Sequence, residues 1–258
     1  MILTADYHTH TPYSHGKNTV AENVAVAVEK GLKQIAISDH GFSHLAFGLR
    51  HKKLPALLAE IRAAAEKFSI DVLLGIESNI RSLSGLIDLT PSDYEQFDVL
   101  LFGFHFAACF RSMGDWVHTF FGNVLAHHLK LGPAKYLVKR NTQSYLNVIK
   151  NNPVDAVTHL SFQYACDPLE VAKCAADYGT YVELNGKKTH LTDEELNDIV
   201  AKTSVRFIVN SDAHTADRVG EIARVEKQLA RLDFPMDRID NIDGRMPNFR
   251  FAEYKKHM

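Results

Sequence analysis

Ile2-Leu3-Thr4-Ala5-Asp6-Tyr7-His8-Thr9-His10 is a run of apolar and β-branched residues that ends on two histidines one residue apart. In an extended segment, side chains two positions apart point the same way, so His8 and His10 share one side of whatever sheet this strand joins. The pattern recurs along the chain. Gln34 to Ser38 runs into Asp39-His40-Gly41, Asp71 to Ile76 into Glu77-Ser78-Asn79, and Asp98 to Gly103 into Phe104-His105. Ala156 to His159 closes on a histidine, and Arg206 to Val209 leads into Asn210-Ser211-Asp212-Ala213-His214. Tyr181 to Leu184, the sixth run, ends Glu183-Leu184-Asn185, and no histidine or acid ligand is assigned there. These are seven buried strands.

Helical patterns separate them. Thr19-x-x-Glu22 and Thr192-x-x-Glu195 are capping boxes, in which each side chain satisfies an orphan backbone N–H of the first turn. The first opens a helix with Val20, Val24 and Val28 on one face and Gly31 at its end; the second precedes Leu196 and Ile199. Another helix carries Leu54, Leu57, Leu58, Ile61 and Phe68, and a further one has Asp167 as its cap, Pro168 at its first position and Gly179 beyond its end. A final helix is expected over 216–231, with Val219, Ile222, Val225 and Leu229 buried. Strands alternating with helices imply parallel strands joined by crossovers. Seven units point to a closed or nearly closed α/β barrel more than to an open sheet, as one domain over residues 1–258. The stretch at about 106–152 exceeds one crossover helix and carries Trp116, Phe120, Phe121, Leu125, Leu129, Tyr136, Leu137 and Leu146. It reads as a helical insertion, either a packing elaboration or a substrate lid.

Composition narrows the function. A formal net charge of -2 offers no electrostatic reason for a nucleic-acid partner. No apolar run reaches the roughly 18 to 20 residues that span a bilayer. The start of the chain has no basic segment followed by an apolar one, so no secretory signal is read. Cys109, Cys166 and Cys174 are too few for a disulfide framework, and a reduced cytoplasmic protein is expected.

Histidine is the excess residue, at 14. Seven of these, His8, His10, His15, His40, His105, His159 and His214, fall at or just beyond strand ends, where barrels of this class keep their chemistry. His118, His127 and His128 do not. A lone buried histidine is more often a bonded core residue than a ligand, but seven converging with Glu77 and Asp212 would be costly to bury without a cation. Imidazole with carboxylate suits zinc, manganese or iron, and cysteine is absent from the set. Nine ligands exceed one metal's need, so two or three divalent ions are expected, with zinc foremost and Glu77 as a bridge.

These motifs resemble the PHP (polymerase and histidinol phosphatase) family from about Asp6 onward. His8-Thr9-His10, Ser38-Asp39-His40-Gly41, Gly75-Ile76-Glu77, Gly103-Phe104-His105 and Ser211-Asp212-Ala213-His214-Thr215 follow its motif order, and the match is to its stand-alone bacterial phosphatase branch with a trinuclear site. The resemblance implies a distorted seven-stranded β/α barrel. It implies one metal on His8, His10, Glu77 and Asp212, a second on Glu77, His105 and His159, and a third on His15, His40 and His214. Two departures stand out. Ser14-His15-Gly16 replaces the Ser-Asp-Gly of many histidinol phosphatases, and His159-Leu160 replaces a frequent His-Pro.

The expected function is hydrolysis of a small phosphorylated metabolite, histidinol phosphate among the candidates, by a metal-bridging hydroxide with Glu77 and Asp212 as catalytic residues. Asp6 and Asp39 are candidates to orient ligand histidines from behind. Arg81 and Lys187 follow strand ends and are the preferred phosphate contacts, ahead of Lys188, Arg111 and Arg218. The rival readings are a phosphodiesterase or exonuclease with the same site, a non-catalytic PHP scaffold, and a hydrolase of carbon–nitrogen bonds.

Overall fold

A computed structural model describes residues 1–117, 123 and 134–258 of the chain. Seven parallel strands pair strictly in sequence order: β1 (Ala5–Thr9), β2 (Gln34–Ile37), β3 (Asp71–Asn79), β4 (Val99–Gly103), β5 (Ala156–Val157), β6 (Tyr181–Asn185) and β7 (Phe207–Asn210). Each is followed by a helical segment that returns the chain to the opposite end, which parallel pairing requires.

Local chemistry sets the ends of these helices as the sequence predicts, although Val28, expected on one face with Val20 and Val24, is exposed. In α1 (Val20–Glu29) and in the helix Asp193–Lys202, both bonds of the capping box are made, by Thr19 with Glu22 and by Thr192 with Glu195. Asp167 caps Pro168–Tyr178 by accepting from the N–H groups of Leu169 and Glu170, and Gly179 ends that helix with φ 68°. Leu57 and Ile61 of the helix Leu54–Phe68 are buried, while Leu58 and Phe68 are only partly so.

Alternation sorts the strand side chains into two cores. Leu100 and Phe102 of β4 and Phe207 and Val209 of β7 face the helices, in the larger cluster. Val99, Leu101 and Ile208 join Ala5, Tyr7 and Phe249 in a second cluster inside the barrel. Phe249 meets Tyr7 edge to face at 4.7 Å.

The barrel is nearly closed. Between β1 and β7 one bridge pairs Thr9 with Ala213, and His10 N–H donates to the Ala213 carbonyl at 2.8 Å. Elsewhere along this seam asparagine side chains replace the missing ladder. Tyr7 N–H donates to Asn210 Oδ1 at 3.0 Å, and Asn241 donates through Nδ2 to the Ala5 and Val209 carbonyls while its Oδ1 accepts from Val209 N–H.

Two expectations change. β5 is only two residues long, so Thr158 and His159 lie beyond it. The last helix does not run unbroken over 216–231. A 3-10 turn at Ala216–Arg218 is separated from the α-helix Ala223–Leu229 by Gly220 at φ 68°, whose N–H is taken by Asp6 at 2.9 Å. Val219, Ile222, Val225 and Leu229 are nonetheless buried, so the apolar periodicity is real although the backbone breaks. Of the stretch at 106–152, the described parts are residues 106–117, with a short turn of helix at Met113–Trp116, then Asn123, and the helix Lys135–Asn151. Phe120, Phe121, Leu125 and Leu129, with His118, His127 and His128, lie outside the described residues. Among the described residues no helix is long and apolar enough to cross a membrane.

Candidate metal centre

All nine expected ligands converge at the carboxyl ends of the strands. β1 carries His8 and His10, and the turn after it carries His15. His40 follows β2 and continues its pairing by a parallel bridge to Glu77 on β3. His105 follows β4, His159 follows β5, and Asp212 and His214 follow β7. Gly103 leaves room for this: a Cβ there would stand 2.6 Å from Cε1 of the His159 ring. His159 (φ 30°) and Asp212 (φ 51°) hold the left-handed region without being glycine. Such conformations cost about 1–3 kcal/mol each and persist where the surroundings impose them, commonly at functional sites.

Glu77 is the hub. Its Oε1 takes hydrogen bonds from Thr158 Oγ1 at 3.0 Å and His159 Nε2 at 2.6 Å, and lies 3.4 Å from His8 Nε2. Its Oε2 lies 2.8 Å from His40 Nδ1, 3.5 Å from His105 Nε2 and 3.8 Å from His10 Nε2. The two oxygens thus serve different histidines. Asp212 Oδ1 stands 3.5 Å from His10 Nε2 and 3.9 Å from His8 Nε2.

These distances do not amount to a hydrogen-bonded network. Nine buried side-chain polar atoms of the described residues lack an aligned partner, and seven belong to this cluster: His8 Nε2, both ring nitrogens of His10, Nδ1 of His15, His40 and His159, and Glu77 Oε2. His40 Nδ1 and Glu77 Oε2 are close and yet unbonded. Buried polar atoms are normally satisfied, so a concentration of unsatisfied ones fits donors directed at a shared cation. Three sets have their ligand atoms within 4.8 Å of one another: His8, His10 and Glu77; His40, Glu77 and His105; and His10, His40 and His214. His40 therefore stands between two sets. His15 stacks on His40 at 4.8 Å and lies 4.2 Å from the His214 ring.

The protonation pattern also suits a metal. Burial works against ionised Glu77, but His105, His8, His159 and His40 around it hold its carboxyl well below the usual range. Asp212 is likewise held low against burial, by His8, His10 and His214. Burial, with His40 beside it, drives His10 well below the ordinary value, and burial does the same to His105. Burial pulls His15 down to about 3. The result is ionised carboxylates beside His10, His15 and His105 held neutral, the forms that bind metals, whereas His159 moves up because Glu77 beside it outweighs its burial. His8 alone among the β1 pair moves up: burial opposes its charge, but Glu77, Glu183 and Asp212 together outweigh it.

Glu183 is the residue that sequence reasoning missed. Buried on β6, it accepts from His8 Nδ1 at 2.7 Å, from His159 N–H at 2.9 Å, and from the amides of Asn185 and Asn210. The sequence signal was an acid inside an otherwise apolar strand, one alternation before Asn185. Asn79 does the equivalent for His105, its Oδ1 lying 2.9 Å from the ring Nδ1. Asp6 and Asp39 do not orient rings. Asp6 bonds Ser211 and the N–H groups of His8 and Gly220, and Asp39 bonds Thr11 and Ser14, so each carboxylate is spent on pinning a ligand-bearing loop.

Above the cluster opens a cavity of about 680 Å³. Lys187 lines it, with Nζ 3.3 Å from Asp212 Oδ1 and 3.1 Å from His214 Nδ1. Arg81 is not among its lining residues. Its Nε donates to the Cys109 carbonyl at 3.0 Å, because the chain turns away after β3. His44 and His190, unassigned from sequence, do line the cavity, and burial pulls each down to about 4.

The PHP domain model matches residues 6–228 of the chain. A curated protein of Thermoanaerobacter sp. (strain X514), named "Probable phosphatase", is 28% identical, with 99% of this chain and 98% of that protein aligned. One of Proteus mirabilis (strain HI4320), similarly named, is 29% identical over 100% of this chain and 98% of its own length. Among solved structures, the histidinol phosphate phosphatase of Lactococcus lactis subsp. lactis Il1403, complexed with zinc, L-histidinol and phosphate, superposes with a TM-score of 0.61. It is 17% identical, with 96% of this chain and 100% of that chain covered, a likeness of fold.

Proposed function

The chain belongs to the PHP domain family, and from that premise we propose that it is a divalent-metal-dependent phosphatase that hydrolyses a small phosphorylated metabolite. The observation that carries this reading is the set of unbonded buried imidazole and carboxylate atoms around Glu77. The names of its curated relatives agree with it.

The donor set supports a reading with two or three ions. His8, His10, Glu77 and Asp212 would hold one, Glu77 with His105 and His159 a second, and His15, His40 and His214 a third, with His40 near enough to Glu77 to serve the second as well. When bound, such ions, zinc foremost with manganese or iron as alternatives, lower the pKa of water towards neutrality and offset charge on phosphoryl oxygens.

The protein's own groups do the positioning. Glu183 accepts from His8 Nδ1 and so turns Nε2 towards Glu77 and Asp212, and Asn79 fixes His105 in the same way. Glu77, with its two oxygens facing different histidines, would serve two of these ions at once. Lys187 offers an ammonium beside Asp212 for an oxygen of the transferred phosphate. In the reaction a bond forms from water oxygen to phosphorus as the ester P–O bond breaks. One water proton ends on the departing oxygen, giving an alcohol and inorganic phosphate. The cavity volume suits a metabolite-sized ester, histidinol phosphate included.

Metal analysis of the purified protein followed by an ester screen tests this. The expected result is two or three divalent ions per chain and hydrolysis of p-nitrophenyl phosphate but not of its bis ester, lost on chelation and restored by zinc or manganese. Stoichiometric metal without monoester hydrolysis would overturn it, as would a preference for the bis ester or for single-stranded oligonucleotides.

A further inference from the structure

Charge is distributed unevenly around the cavity. Its carboxylates are Glu77 and Asp212, both in the cluster at the floor. Higher up, the turn after β6 and the helix after β7 bring Lys187, Lys188 and Arg224 to the wall. No other carboxylate among the described residues lines it, and the sequence from His118 to Pro133 contains no Asp or Glu that could add one.

The two lysines are held, not merely present. Asn185, buried at the end of β6, accepts the N–H groups of Lys187 at 3.0 Å and Lys188 at 3.1 Å through one oxygen. Its amide nitrogen donates downward to Glu183 at 2.8 Å and Asp212 at 3.3 Å. The lysine turn is thus tied directly to the cluster. Lys187 leans onto Asp212, while Lys188 points the other way, with Nζ 5.1 Å from the centre of the Phe162 ring, which itself lies 5.6 Å from the His159 ring. Among the described residues neither Lys188 nor Arg224 is matched with a carboxylate. Unmatched cations facing a recess bounded by aromatic rings concentrate the field on whatever enters.

We infer that the phosphate ester this site prefers carries a second anionic group, a carboxylate or another phosphate, on its leaving-group side, received by Lys188 and Arg224. This rests on the phosphatase reading and specifies its substrate class. An ester whose leaving group carries an ammonium, as L-histidinol does, would meet two cations there and no free carboxylate, which disfavours it by repulsion as well as by lost attraction.

Comparison of kcat/KM across matched esters tests the inference. Fructose 1,6-bisphosphate and 3-phosphoglycerate carry the second anion as phosphate and as carboxylate, glycerol 3-phosphate is neutral on that side, and phosphoethanolamine and histidinol phosphate carry the ammonium. At least one anionic ester is expected to exceed the neutral one on the order of tenfold, and the neutral one to exceed the ammonium esters, with the spread shrinking at 0.5 M KCl. In the double variant Lys188→Gln, Arg224→Gln the anionic-to-neutral ratio is expected to fall towards one through a raised KM. Equal kcat/KM across the panel, a preference for ammonium esters, or an unaltered ratio in the double variant would overturn the inference while leaving the phosphatase reading intact. Hydrolysis of p-nitrophenyl phosphate but of none of these esters would overturn the inference alone, and no hydrolysis of any monoester would overturn both.

Discussion

Asp155 and Glu77 are both completely buried carboxylates, one entering the lower end of β5 and the other at the upper end of β3, and their surroundings could hardly differ more. Asp155 accepts the N–H of Leu100 at 2.8 Å and that of Phe251 at 2.8 Å, stitching β4 to the helix Arg250–Lys255. Both of its oxygens are occupied by main chain, and burial pushes it up to about 7. Glu77 is held well below the ordinary range by the rings around it, and its Oε2 has no aligned donor at all. A buried acid saturated by backbone amides is a structural clamp. One that faces several equally unsatisfied groups is assembled for something that joins them.

The sharpest way to break this contrast is Glu77→Ala. It should remove more than one ion's worth of metal and lower phosphatase turnover by about a thousandfold or more, since positioning and charge stabilisation fail together. Elemental analysis with single-turnover kinetics checks it, and unchanged metal content would make Glu77 a clamp like Asp155.

Asp155→Asn should leave metal content alone and alter stability. Because the folded pKa of Asp155 is raised, the folded state holds more protons than the unfolded state between about pH 4 and pH 7, so its contribution is present at low pH and lost as pH rises through about 7. The slope is at most about 1.4 kcal/mol per pH unit. Urea midpoints measured from pH 5 to pH 8 should therefore converge between wild type and variant as pH rises. Parallel curves would contradict the clamp.

Glu183→Gln is milder and sits between the two cases. It keeps the shape but weakens the hold on His8 Nδ1, for an expected 10- to 100-fold loss of metal affinity on the order seen for outer-sphere partners. Competition with a chelator of known affinity measures this, with the urea midpoint as the control for a purely structural role.

Much of the barrel was legible in the sequence for an identifiable reason. Strand ends were marked by polar residues after apolar runs, and helix starts by side chains such as Thr19, Thr192 and Asp167 whose caps act within three residues. Reach in sequence is where legibility ended. Asp6 and Asp39 looked like the supports of His8 and His40 because they are neighbours in the chain, yet His8 is held by Glu183, 175 residues away. Arg81 looked poised for substrate because it follows β3 by two residues, but the direction the chain takes afterwards is a tertiary matter, and its guanidinium ends on the Cys109 carbonyl. The break at Gly220 was hidden because the apolar spacing across it stays helical.

The seam between β1 and β7 has a bearing on how the molecule comes into being. His8 and His10 stand on one side of it and Asp212 and His214 on the other, so the earliest and latest donors in the chain are spatial neighbours across it. A ribosome delivering the chain from its amino end releases six strands before the seventh exists, and until then the first strand's outer edge has nothing to lie against. On the proposed ligand assignment, ion capture at full strength belongs to the finished polypeptide, and a truncated nascent product would hold its early histidines without the aspartate that completes their set.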